Sequence, residues 1–323
     1  MRIALRSLLL CFILAGIISC SPSDKKDKKE TVTVATLRGP SAMSMIKIID
    51  KLDSIEDKKI KFIIKNEPVQ IRPLILQNKV DFAVVPTNMA AILYNKHNSY
   101  QVAAIPVWGT LYLFGTDSSI HQWEDLKEKK INLMAKGMTP DVMFRYLLIE
   151  NDLNPGQDVD LDYAFPTHIE LANAIASGKA ELGVISEPLV SMVERKNPAV
   201  RSLLSLNDEW EKATGLKIPQ TSLLVNQNFA RKNNHWINDF LNEYNNSVTW
   251  VNANPEEAAQ LIVKYNILEN QQTAANAIPG CNMNFKEAGE VQNTINKYLE
   301  IFYNMNPDII GGKIPDEKFV YKK

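Results

Sequence analysis

The most constraining feature of this sequence is an internal echo: residues 61–93 and 161–193 run in register with no gap. "QNKVDFAVVPTN" (77–88) lies on "SGKAELGVISEP" (177–188), so that Lys79 matches Lys179, Asp81 matches Glu181 and Val84 matches Val184. Few residues are identical. What repeats is the order: a helix end, a short turn, a buried strand and a polar tip. The tips differ, Thr87-Asn88 in the first copy and Glu187-Pro188 in the second.

The flanking sequence extends both copies. "ETVTVATLRG" alternates and then turns, as a strand ending in a glycine loop does, and "PSAMSMIKIIDKL" predicts an amphipathic helix opening on Pro40 and Ser41. "KKIKFIIKN", "EPVQIRPLILQNK", "VDFAVVP" and "NMAAILYNK" follow as strand, helix, strand and helix. The second half repeats this order. "KINLMAKG" and "MTPDVMFRYLLIENDL" predict a strand and a helix, "VDLDYAFP" a strand, and "THIELANAIASGK" a helix with a Thr167-x-x-Glu170 capping box. "AELGVIS" and "EPLVSMVERK" complete it. Alternation of this kind predicts parallel α/β sheets with helices on both faces.

Two copies predict two lobes. In a parallel sheet the loops at the carboxyl ends of the strands carry the ligand. Facing lobes would therefore line a cleft with those loops, the repeated part building the frame and the differing tips building an asymmetric pocket. The β-rich stretches "YQVAAIPVWGTLYLFGTDS" and "IPQTSLLVNQNFARK" are long enough to cross between lobes, and two crossings form a hinge. Lobe one then comprises residues 31–112 and 221–323, lobe two residues 113–220, with a helical tail over 234–304 packing on lobe one. With 45% apolar residues in 323, the chain can build two cores.

The N-terminus stands outside this frame. Arg2 and Arg6 precede an apolar run from Leu8 to Ile18, too short to span a bilayer comfortably and suited to an export signal. The run ends in "IISC", which resembles a bacterial lipobox. That resemblance implies a signal peptide over 1–19 and a diacylglycerol on Cys20, with an ordinary signal peptide or an uncleaved anchor as the alternatives. Residues 20–30, "CSPSDKKDKKE", hold nothing able to join a core and read as a tether that leaves the protein membrane-anchored on an exported face. Cys11 leaves with the signal, so Cys281 remains alone and the core must hold without an internal disulfide. The four scattered histidines predict neither a metal nor a cofactor. A net charge of −1 argues against a nucleic-acid partner.

"TLRGPSAMSMIKIID", "NKVDFAVVPTNMAAIL", "ELGVISEPLVS" and "NFARKNNHWINDFLNEYNNSVTWVNANPEEAAQLI" together resemble a solute-binding protein of an ABC importer. The similarity is to the binders of nitrate, taurine, aliphatic sulfonates and thiamine-pyrimidine precursors, over roughly residues 31–305. It implies a type II periplasmic-binding-protein fold, a small-molecule ligand, delivery to a membrane permease and no chemistry on the ligand, from a protein acting as a monomer.

The pocket residues implied are these. Arg38, Gly39 and Ser41 form the turn before the first helix, whose N–H groups can meet a polar ligand, and Gly137 and Thr139 occupy the same place in lobe two. Thr87, Asn88 and Glu187 are the repeat's tips; Trp108 and Thr221 lie in the crossings, and Thr167 opens a helix on the cleft side. Plainer roles stay open for each. Ser41, Thr139 and Thr167 also read as helix caps, Arg38 as a surface charge, Trp108 as core and Glu187 as a partner for a helix dipole. Met43, Met45 and Met138 suit packing, and His168 a partly exposed helix position. A carboxylate facing the ligand suggests an amine, hydroxyl or ring N–H donor, which leaves a sulfonate and a zwitterionic or neutral heterocycle both open. Two other classes share the pattern: an enzyme on the same fold, similar to pyrimidine-precursor synthases or menaquinone-pathway dehydratases, and a surface lipoprotein for adhesion.

Overall fold

The computed structural model describes residues 30–134 and 136–323. The expected signal peptide, Cys20 lipid site and tether lie outside the described residues, apart from Glu30. From Thr31 to Lys323 the chain clusters as one compact unit. Its strands are β1 (Thr31–Leu37), β2 (Ser54–Ile55), β3 (Lys58–Lys65), β4 (Phe82–Pro86) and β5 (Tyr100–Val107), then β6 (Leu111–Gly115), β7 (Lys130–Asn132), β8 (Asp160–Asp162), β9 (Leu182–Ser186) and β10 (Arg201–Ser205), and finally β11 (Thr221–Asn226) and β12 (Met283–Glu287).

These strands form two sheets, in the order β12-β5-β11-β4-β1-β3-β2 and β10-β6-β9-β7-β8. The middle of each sheet has the same plan. β1 lies parallel between β3 and β4, and β7 parallel between β8 and β9. An antiparallel strand delivered from the other sheet's portion of the chain then flanks β4 (β11) and β9 (β6). The chain leaves the first sheet between Val107 and Leu111 and returns between Ser205 and Thr221. This is a mixed α/β architecture of the periplasmic-binding-protein kind.

The repeat is realised to the residue in one helix and one strand, whereas β3 and β8, and the helices after the two tips, differ in their bounds. The helices Pro68–Leu76 and His168–Ala176 stand one hundred residues apart at both ends, as do β4 and β9. Both strands are buried on both faces, as interior parallel strands must be, and the alternation of Val32 and Val34 with Ala35 and Leu37 divides β1 between two cores. On one face of the first sheet Phe82 meets Phe240 and Trp236 of the helix Asn234–Ala253, ring centroids 4.8 and 5.8 Å away. Such pairs each add on the order of 1 kcal/mol beyond their area burial.

Some predicted elements change. The first helix is broken at Met45 into Pro40–Ser44 and Ile46–Lys51, with Met43 and Met45 buried in the core. The "KINLMAKG" strand is paired only over Lys130–Asn132. The tail over 234–304 is not wholly helical: β12 interrupts it and pairs with β5 at the sheet edge. Strands β2 and β10 and the helix Leu206–Thr214 add to the expected elements. Among the described residues no helix is long and apolar enough to cross a membrane.

Candidate ligand-binding site

The parallel strands of each sheet end in turns that meet those of the other sheet. After β1 the chain turns at Gly39, whose φ of +97° lies in the left-handed region that side chains avoid. A Cβ at Gly39 would sit 3.5 Å from Cδ of Pro188, the residue after the β9 tip. The turns that end β1 and β9 therefore abut.

At the β4 tip, Thr87 and Asn88 start the helix Thr87–His97. The Thr87 hydroxyl donates to the Pro219 carbonyl at 2.5 Å and shares a 2.9 Å contact with Ser222 Oγ, which fixes the tip to the returning strand β11. Asn88 is fully buried and reaches across. Its Oδ1 accepts from Met89 N at 2.9 Å and from Thr139 Oγ1 at 3.3 Å, and Thr139 starts the helix Thr139–Glu150 that follows β7. Thr139 Oγ1 also lies 3.5 Å from the hydroxyl of Tyr298. Asn88 Nδ2 has no hydrogen-bond partner, and neither do Thr36 Oγ1, Gln220 Oε1 and Thr221 Oγ1, all buried atoms. Thr221 is paired with Pro86 on one side and Val107 on the other, which places it at the β4 tip and beside the first crossing. A buried polar atom left unpaired costs on the order of 1–3 kcal/mol, so several at one edge mark a place built to meet something polar.

At the β9 tip, Glu187 is 7% exposed. Its amide donates to the Thr110 carbonyl at 3.0 Å, while its carboxylate accepts from Ser191 N at 3.1 Å and from Ser191 Oγ at 3.0 Å. Burial pushes its carboxyl up to about 7, against the two Ser191 hydrogen bonds, and the charge of Glu194 adds to the rise. Gly280, at the end of the helix Gln271–Gly280, is the close approach that seats this side chain: a Cβ there would stand 3.0 Å from Glu187 Cγ and Oε1. The neighbouring Cys281 thiol is buried and pushed well up by burial, with the Glu187 charge adding. The hydroxyl of Tyr112 is pushed up to about 12 by burial and then by Glu187, Asp208 and Cys281.

Near the β7 turn, Gly137 N donates to Asp141 Oδ2 at 2.7 Å, and Asp141 Oδ1 accepts from Arg145 Nε at 2.7 Å and from the Tyr163 hydroxyl at 2.5 Å. Ser41 is buried, with its carbonyl accepting from Ser44 Oγ at 2.8 Å.

The structure thus brings Gly39, Thr87, Asn88, Thr139, Glu187 and Thr221 to the facing ends of the two sheets, and sets three candidates to other work. Arg38 points out to the surface, where Nε donates to Asn66 Oδ1 at 2.7 Å and the guanidinium reaches the Asn266 carbonyl. Thr167 closes a capping box with Glu170 on an exposed helix start. Trp108 donates its indole N–H to the Asn284 carbonyl at 2.6 Å and packs in the core, so its polar end is taken by β12. Thr36 and Gln220 were not among the candidates. Thr36 is a polar residue in the otherwise apolar end of β1, and Gln220 precedes Thr221, so both carried a weak local signal. His168 is a half-buried residue at the start of its helix, as expected, but its Nε2 is buried without a partner, and burial pulls it down to about 4.

A metal has one place among the described residues where three ligating atoms gather: Glu56, His235 and Asp239, within 4.8 Å of one another. These side chains are exposed or half-exposed and none belongs to the tips.

Residues 44–270 match the family model described as ABC transporter, phosphonate, periplasmic substrate-binding protein. A Bacillus subtilis protein named "Putative binding protein YtlA" is 28% identical over 147 residues, 44% of this chain and 41% of that relative, so the match spans less than half of its length. A solved structure of an ABC transporter protein from Parabacteroides distasonis is 28% identical, covering 91% of this chain and 99% of that one, with a TM-score of 0.79. The periplasmic aliphatic sulphonate binding protein SsuA from Escherichia coli is 16% identical and shares the fold, covering 91% of this chain and 92% of that one with a TM-score of 0.74.

Proposed function

Because this chain belongs to the phosphonate-type family of periplasmic substrate-binding proteins of ABC transporters, we propose that it captures one small polar molecule between the facing ends of its two sheets. It delivers that molecule unchanged to a membrane permease. The observation that carries this reading is the gathering of buried, unpartnered polar atoms at the sheet edge, Asn88 Nδ2 foremost, beside turns that abut between the two sheets. Closing about a ligand would supply their partners, and opening at the hinge between Val107 and Leu111 and between Ser205 and Thr221 would release it. Residues 31–112 with 221–323 form one lobe in this reading and 113–220 the other, in a monomer held to the membrane through a lipid on Cys20.

The lone described thiol, Cys281, is buried with its proton held tightly, the reverse of an activated nucleophile. Isothermal titration of the protein with the family's ligand types, alongside assay of the recovered ligand, tests this. Saturable binding with the ligand recovered intact is expected; turnover would contradict it. For the anchor, palmitate labelling should be lost in Cys20→Ala, and labelling at the unaltered level would remove the lipid from the account.

A further inference from the structure

Resting on the binding-protein reading above, we infer that the site takes a ligand without net negative charge, one that presents a cationic or neutral hydrogen-bond donor to Glu187, and not a phosphonate or sulfonate anion. Anion sites of this architecture are built from free N–H groups at helix starts, helped by a cation. Here one or two of those groups at three of the helix starts are engaged by the protein itself. In the helix Leu189–Lys196 the Ser191 N–H is taken by the Glu187 carboxylate. In the β7 turn the Gly137 N–H is taken by Asp141. In the helix Thr87–His97 the Met89 N–H is taken by Asn88 Oδ1 and the Thr87 N–H by the Gln220 carbonyl at 3.3 Å. The remaining helix, Pro40–Ser44, is five residues long and starts on a proline, which has no N–H.

The charges point the same way. Among the described residues the buried charged side chains are Asp141 and Glu187, both acidic. Arg145 is spent on Asp141 and Tyr163, Arg38 on Asn66 and Asn266, and the exposed Lys136 sits over the Tyr163 ring. A phosphonate brought to this edge would meet the Glu187 carboxylate with Arg38 and Arg145 already paired; an ammonium or amidine would meet its complement. Acceptors on such a ligand would have Asn88 Nδ2 to engage, and donors would have Gln220 Oε1.

Binding should also move a proton. Glu187 faces Glu194 on the helix that follows it, Tyr112 on β6 and Cys281 beyond Gly280, none of them cationic, and it titrates near 7. A cation beside it lowers that value and releases a proton at neutral pH; an anion raises it and takes one up.

The test is calorimetric titration of the full chain in detergent with putrescine, 4-aminopyrimidine, inorganic phosphate, methylphosphonate and ethanesulfonate, in two buffers of different ionisation enthalpy. Expected are saturation by putrescine or 4-aminopyrimidine with proton release, silence from the three anions at millimolar concentration, and about a tenfold weaker affinity in Glu187→Gln. The selectivity of the unaltered protein decides the matter even if that variant fails to fold. Tighter binding of methylphosphonate or ethanesulfonate than of either donor probe overturns the ligand class and leaves the binding-protein reading standing. Silence from all five overturns the inferred ligand class, while the family membership, which rests on the sequence match, stands.

Discussion

The two tips of the repeat stand one hundred residues apart in the same strand–turn–helix frame, yet they handle polarity in opposite ways. Thr87-Asn88 is neutral: one side chain is tied to its own sheet, and the other reaches across to Thr139 while keeping a buried donor unpaired. Glu187 carries a charge, shields it with the start of the helix that follows, and presses its stem against Gly280. The frame sets where each tip stands; the tip residues set what can be met there. Duplicating a frame costs little change in packing, and asymmetry of recognition then needs only a few substitutions at the ends.

The largest effect that would break this comparison is electrostatic. Burial raises the Glu187 carboxyl from 4.5 to about 7. A raised carboxyl stabilises the folded state below the unfolded value, and that contribution is lost as pH climbs through the folded value. From pH 4.5 to 7 Glu187 should therefore withdraw about 3 kcal/mol of stability. The difference in unfolding free energy between the unaltered protein and Glu187→Gln should change by that amount across the window, whereas Asn88→Ala should show no such slope. Parallel pH curves for Glu187→Gln and the unaltered protein would remove the contrast between the tips.

Next comes the seat of the second tip. Gly280→Ala places a methyl 3.0 Å from Glu187 Cγ and Oε1, and forcing that gap should cost about 1–3 kcal/mol in chemical denaturation and weaken ligand binding as well. Unchanged stability would show that the tip moves freely. Gly39→Ala, in a left-handed conformation, should cost about 1–2 kcal/mol while the 3.5 Å approach to Pro188 remains an ordinary contact.

Smaller effects sharpen the boundary of the site. Thr167→Ala should lose about 1 kcal/mol by removing a helix cap and leave ligand affinity as it was. Arg38→Ala, at the surface, should change stability by less than about 1 kcal/mol and affinity not at all. A loss of affinity in either would bring that residue back to the pocket.

How much of this could be read from residues alone follows the range of the interactions. The repeat is written in local periodicity, so β4, β9 and the helices before them were legible, as was the Thr167 capping box, which spans four residues. β12 was not, because its alternating burial exists only against β5, far away in sequence. That one missing strand also hid the fate of Trp108, whose indole partner Asn284 lies on it. Arg38 looked like a pocket charge because its partners, Asn66 and Asn266, come from distant turns. Glu187 was legible as a tip, but its burial depends on Gly280, and no local pattern pairs the two.

Asn88 tests most directly whether the facing tips form the ligand site. Its Nδ2 is buried and unpartnered, so Asn88→Ala removes a group the fold does not use there, at the cost of about 1 kcal/mol for the two bonds accepted by Oδ1. Calorimetric titration of Asn88→Ala with whichever probe binds the unaltered protein should give an affinity at least about tenfold weaker, with the unfolding transition still cooperative. An affinity equal to that of the unaltered protein would place the ligand elsewhere and contradict the account.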